Sequence, residues 1–322
     1  SYIVDMALSA PYGGWNVILD AEDGFVASIE DHMLINKVHD DMPTIAERLA
    51  AYTGPTTDRA AAFARLAEQE REAERAMEKG NRAQGTGVVF DPDPRTTLRN
   101  NNLQDYTADS AFTDAYFTKD LLDIQYSSGI YRLTGPWVYI SNWDPPSTPP
   151  STTTDGNWTA TRGDNAFNDA MTYFHLDQNQ RYIQSLGFTG ATGIQEGSIR
   201  ADSDGVNGQD NSYYIPAYNR LAFGHGCVDD NEDADVIIHE YGHAIHHDIA
   251  YWNGCDTGGM GEGFADYWGG SYSYGTPNGP VFYPNWIYSW DGHGATNHCW
   301  YGRVLDATHL QYNPDLTYGA HQ

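Results

Sequence analysis

Positive charge is scarce. Lys and Arg total 17 against 44 Asp and Glu in 322 residues, a net charge of -27. Only three of the cations are lysines, Lys37, Lys79 and Lys119. So acidic a surface repels phosphate backbones and anionic headgroups, which excludes nucleic acid as a partner and argues against docking on an anionic membrane. Long apolar runs are missing as well. No stretch approaches the ~18 residues of a membrane span, so no membrane insertion is expected. The chain opens at Ser1 with neither Met nor a charged-then-apolar leader, as a processed or trimmed product would. Cysteine is rare: Cys227, Cys255 and Cys299 allow at most one internal disulfide. Cys255 with Cys299, both in Gly-rich loops, is the expected pair.

What is present supports a folded chain. Hydrophobic residues make up 40% and aromatics 13%, enough for a core. An Asp-rich, well-hydrated surface suits a secreted, extracellular protein. Residues 1–36 predict strands, with Glu22-Asp23-Gly24 as a turn between Trp15–Asp20 and Phe25–Ile29. Residues 56–83 predict one long helix with a narrow apolar stripe (Phe63, Leu66, Ala73, Met77) and charged rows, a solvated linker. Residues 86–160 are β-rich and irregular, with strands at 130–133 and 137–140 and a Pro-rich loop at 145–154. Residues 164–186 predict an amphipathic helix with Phe167, Met171, Phe174, Tyr182, Ile183 and Leu186 on one face, and His175 as a core histidine.

The chemistry is carried by Asp233-Ala-Asp-Val-Ile-Ile-His239-Glu240-Tyr-Gly-His243. Histidines four apart on a helix point the same way one turn apart, so both can hold one zinc ion at ~2.0–2.1 Å. Glu240, beside the first, can reach a water on the metal rather than the metal itself. Asp233 or Asp235 can cap the helix. Nineteen residues after His243 comes Glu262, within Gly258-Gly-Met-Gly-Glu262-Gly-Phe-Ala-Asp266. Glu262 can supply a third ligand from a second helix. Asp266, on the same face, can accept the free ring N–H of a ligand histidine. Two histidines, one carboxylate and an open position make a catalytic rather than a structural zinc site.

These two motifs resemble the fungalysin branch of the thermolysin-like zinc peptidases, the gluzincins. The likeness is strong in the motifs, fair from about residue 160 onward and weak over 86–160. It implies an α+β fold: a β-rich N-terminal lobe and a helical metal-binding lobe, with the metal helix on the floor of a cleft. The implied organisation is a propeptide-tail-like hairpin at 1–36, a linker with a charged helix at 37–85, a β-rich lobe at 86–230 and the zinc-binding helices at 231–322. Asp210–Tyr214 then stands where the family's edge strand pairs with the peptide substrate, with Asn211 and Ser212 as substrate-binding residues. His321 falls near the family's histidine that stabilises the tetrahedral intermediate. Arg303 matches by spacing the arginine that grips a substrate carbonyl, and Tyr251 is a candidate oxyanion donor. The resemblance allows a calcium ion as second cofactor, for which Asp235 alone matches a ligand.

The function expected is a secreted zinc endopeptidase acting on peptide or protein substrates, with Glu240 as general base. The rival is an extracellular structural or adhesive protein that retains the metal site. A glycoside hydrolase is disfavoured, because nothing places a pair of carboxylates. The family's C-terminal helical lobe has no counterpart here, since the Gly-, Asn- and Pro-rich residues after Glu262 show little helical period. A longer gene product, a separate chain or a neighbouring subunit is therefore expected to complete it, the alternative being a compact variant whose loops at 270–320 fold over the site.

Overall fold

The computed structural model describes residues 2–9, 12–19, 26–31, 34–35, 81–250, 255–293 and 300–307. The statements below concern those residues. The expected helix at 56–80 lies outside them, as do Tyr251, Cys299 and His321.

Helices and sheets are both present, an α+β chain. Strands β1 (Tyr2–Ser9), β2 (Tyr12–Leu19) and β3 (Val26–Asp31) form an antiparallel sheet. The short β4 (Leu34–Ile35) leaves that sheet and joins another. Next, β5 (Asn81–Val89) and β6 (Phe117–Ser127) pair antiparallel and form the centre of a five-stranded sheet. Its margins are β7 (Ile130–Arg132), β9 (Thr152–Thr153) and β10 (Asn157–Trp158). A second five-stranded sheet runs β4-β12-β13-β11-β8, adding β8 (Val138–Ile140), β11 (Ile199–Asp202), β12 (Ser212–Ile215) and β13 (Arg220–Phe223). Finally, β14 (Trp286–Ile287) pairs with β15 (Arg303–Val304).

Two expectations are corrected here. Residues 81–83 are strand rather than the end of a helix, so the β-rich part opens at Asn81 and not at 86. Gly85 shows why the strand persists: a Cβ there would lie 2.3 Å from the Gly156 carbonyl, so the close approach of β10 depends on glycine. The second concerns the helix at 164–186.

That helix, α2 (Asn165–Ser185), follows the short α1 (Pro94–Leu98). Asp164 caps α2 by accepting the Ala166 N–H at 2.8 Å. Fourteen of its 21 residues are buried, so it is not a one-faced amphipathic helix. Tyr182 and Leu186, expected on the apolar face, are each 53% exposed. Buried polar side chains take their place because distant segments satisfy them. Asn168 donates to Asp229 (2.7 Å), and Gln180 accepts the Tyr241 hydroxyl (2.6 Å). His175 is a core histidine, fully buried between the Phe90 carbonyl (2.9 Å) and the Tyr272 hydroxyl (3.1 Å). Burial pushes it down to about 4.

The remaining helices are α3 (Ala234–Ile249) and α4 (Cys255–Tyr274), which pack against each other. Asp233 caps α3: one carboxylate oxygen accepts the Asp235 N–H, and the other accepts the N–H groups of Trp290 and Asp291. The cap thus fixes both the helix and the loop that leads away from β14. The core joins Phe90, Phe112, Phe167, Val236, Ile237 and Trp290 beneath the sheets.

Candidate metal centre

α3 carries His239, Glu240 and His243, all fully buried. The two imidazoles project one turn apart, with ring planes at 89° and centroids 4.7 Å apart. Gly242 lets α4 approach, because a Cβ there would lie 2.9 Å from Ala265 Cα. That contact brings Glu262 over the histidines.

Glu262 Oε2 lies 3.2 Å from His239 Nε2 and 3.4 Å from His243 Nε2, and the two Nε2 atoms are 3.0 Å apart. Ligands ~2.05 Å from a tetrahedral ion are about 3.3 Å from each other, so this triangle has the size of one face of a zinc coordination shell. Glu240 sits beside it, its carboxylate within 4.8 Å of both imidazoles. Both Glu240 oxygens are buried without a hydrogen-bond partner. Such an orphaned carboxylate is costly unless a cation or a water it can bind occupies the space in front of it. The donor set and the orphaned oxygens both fit a zinc ion.

Behind His239, its Nδ1 is 2.8 Å from Asp266 Oδ1. Asp266 is itself gripped by Arg303 through two bonds, Nε to Oδ2 and Nη2 to Oδ1, each 2.7 Å. The Tyr288 hydroxyl donates to Asp266 Oδ1 at 2.8 Å. A metal ligand so backed is fixed in tautomer and ring orientation. Burial alone would raise Asp266, but His239 and Arg303 hold it below the usual carboxylate range. Burial likewise opposes a charged His239, yet Asp266 and Glu262 lift it to about 9 while no cation competes. Burial pushes Glu240 well above its ordinary value, with His239 pulling the other way. Among the described residues, no carboxylate backs His243 Nδ1 as Asp266 backs His239 Nδ1.

The structure therefore brings together His239, Glu240, His243, Glu262 and Asp266. Arg303 sits behind Asp266, largely buried, with two bonds to that carboxylate and one to the Tyr288 hydroxyl (2.6 Å). Asn211 and Ser212 open β12, next to α3, and both are buried. Asn211 Oδ1 accepts the Ser212 N–H (3.0 Å), and the Ser212 hydroxyl donates to Asp230. β12 also pairs antiparallel with β4, Tyr213 opposite Ile35 and Tyr214 opposite Leu34. Asp235 spends its oxygens on the Ser273 hydroxyl and the Tyr288 N–H. A different acidic group, Asp210, Asp230 and Asp291, gathers carboxylate oxygens within 4.8 Å of one another.

Sequence reasoning missed Tyr288 and the place of Arg303. Arg303 lies in the β14–β15 ladder and Tyr288 directly follows β14, and two-residue strands carry no periodic signal. The disulfide expectation is corrected: Cys227 is disulfide-bonded, which rules out a Cys255–Cys299 pair among three cysteines. No protein-family model matches this chain, and no curated protein is significantly similar to it.

Proposed function

We propose that this chain is a zinc-dependent endopeptidase of the gluzincin type, thermolysin-like in architecture and secreted. The observation that carries the reading is the triangle of His239 Nε2, His243 Nε2 and Glu262 Oε2 facing an unpartnered, buried Glu240 carboxylate. A zinc ion held by these three would lower the pKa of a bound water toward ~7 and polarise the scissile carbonyl. Glu240 accepts the proton of the attacking water and passes it to the leaving amine. Asp266, held by Arg303 and Tyr288, keeps the His239 Nε2 lone pair aimed at the triangle.

β12 supports a peptide as the substrate. β12 is not an edge strand in this sheet, since β13 and β4 flank it, but the side that takes the two residues of β4 in antiparallel register is one on which an extended chain can pair. His321 as a donor to the developing oxyanion stays part of this proposal, as do Asn211 and Ser212 as substrate contacts.

The test is elemental analysis of protein prepared without chelator, together with hydrolysis of casein and short peptides. The expected result is one zinc per chain and cleavage that Glu240→Gln removes while zinc is kept. A zinc-loaded wild type that cleaves neither would support the structural or adhesive alternative.

A further inference from the structure

α4 has a second working face. Trp268 follows Asp266 by two residues, a rotation of about 200° on a helix, so it points away from the metal centre. It faces α2, where its indole N–H donates to Asn179 Oδ1 at 3.0 Å. Between the two helices lies a cavity of about 510 Å³ that plays no part in the metal site. That volume is within the range of small-molecule pockets, ~300–1,000 Å³.

The lining selects a chemistry. Tyr182, Tyr267, Trp268 and Tyr272 contribute aromatic surface. Tyr182 and Trp268 stand 6.3 Å apart with planes tilted by 41°, an open V of two ring faces. Phe264 stacks behind Trp268 at 6.1 Å and, with Asn179, holds its plane. Tyr182 and Tyr267 are 53% and 62% exposed, large ring faces that water does not favour. Around them are the side-chain amides of Gln178 and Asn179 and the hydroxyls of Ser271 and Thr276.

Charge is nearly absent from the wall, although the chain as a whole is strongly acidic. Among the described residues of the lining Asp91 is the one carboxylate, and its oxygens are taken by Lys119 Nζ (2.5 Å) and the Tyr272 hydroxyl (3.0 Å). The described wall is therefore neither a trap for cations nor, with no Arg or Lys among its described residues, one for anions. Amides and hydroxyls both donate and accept, which matches the vicinal hydroxyls of a sugar. The C–H face of a pyranose ring packs flat on an aromatic face. A proline-rich peptide would use the rings but offers only carbonyl acceptors to this mixed rim.

We propose that the cavity between α2 and α4 binds a short neutral oligosaccharide, held on Tyr182, Tyr267 and Trp268. The site is independent of the metal centre and would anchor the chain to a glycan or a glycosylated target.

Calorimetry and saturation-transfer NMR on the full chain test this, with chitotriose, cellotriose and maltotriose as probes and a proline-rich peptide as control. The expected result is binding of at least one trisaccharide, weakened roughly tenfold or more by Tyr182→Ala or Tyr267→Ala, as loss of an aromatic anchor does. Both side chains are exposed, so melting temperature and zinc content should be unchanged. Trp268 is left intact because Phe264 packs on it. Absence of binding to all three sugars overturns the proposal. So does binding that neither variant weakens, or binding of the peptide alone.

Discussion

Glu240 is the residue whose surroundings constrain its role most. Burial without a partner for either oxygen would be removed by evolution or by relaxation unless the group in front of it served a purpose. Asp266 is the reverse case, a carboxylate with every oxygen engaged. Replacing it by Asn keeps the shape but removes the charge that makes His239 a strong donor. We expect Asp266→Asn to weaken zinc binding by about 10–100-fold, measured against a competing chelator. Arg303→Lys should give a smaller loss in the same direction, because a lysine cannot make the two-pronged contact with Asp266. Unchanged affinity in both variants would mean that the carboxylate does not orient the imidazole. The facing pair His239 and His243 is legible in the sequence because i, i+4 spacing is a local rule. Tyr288 and Arg303 were not, because their meeting with Asp266 depends on a two-stranded ladder closed by residues 286–304.

At the scale of elements, the site depends on how closely α3 and α4 approach. Gly242 is the tightest point, with Ala265 Cα 2.9 Å and Cβ 3.1 Å from where a Cβ would sit. Alanine is the better helix former by about 1 kcal/mol, but overpacking a close contact costs about 1–3 kcal/mol. Packing wins, since the obstacle is backbone that cannot swing aside. Gly242→Ala is expected to lower the melting temperature and weaken zinc binding together, because it moves Glu262 away from the histidines. Stabilisation with zinc affinity intact would show that the helices are not in register at this glycine. Asp233→Ala should act differently. It removes a cap worth about 1 kcal/mol and frees the Trp290–Asp291 loop, so stability falls while the His239–His243 pair on α3 and Glu262 on α4 stay in place. α2 shows where sequence patterning fails. Phe167, Met171, Phe174 and Ile183 were found correctly as buried, but Tyr182 and Leu186 face solvent. The polar residues Asn168 and Gln180 are buried instead, and their partners lie about 60 residues away. Periodicity registers side-chain polarity, not a distant partner that makes polarity affordable.

Across the whole molecule, the same burial that shapes the centre sets a pH dependence. Asp144, Asp202, Glu232 and Asp235 are each raised by burial to about 7. An unfolded chain titrates such groups near ~4, so between about pH 4 and 7 the native fold binds more protons than the unfolded chain. Their contribution to stability is therefore full below the unfolded value and is lost as pH rises through about 7. His175 opposes this. Depressed to about 4, it binds fewer protons when folded between about 4 and 6.5, and so costs stability on acidification. Burial lowers His243, His246, His247 and His293 as well, but it also raises Asp93, Asp169, Asp177, Asp229, Asp233 and Glu240, so the raised carboxyls outnumber the lowered imidazoles. Asp266 and Glu262, held low by their cationic neighbours, lose their contribution only below the ordinary carboxylate range, outside this window. The net charge of -27 adds to the same trend, since protonation relieves self-repulsion. Chelated protein should therefore melt at a higher temperature at about pH 5.5 than at about pH 8, with the difference retained in high salt because the groups are buried. Glu232→Gln tests the assignment. It removes a raised carboxyl, the one held by Arg162 and Trp290, and should flatten the pH slope even if it lowers stability throughout. A melting temperature that rises with pH over this range would show that the depressed histidines, not the buried carboxyls, govern the stability of this chain.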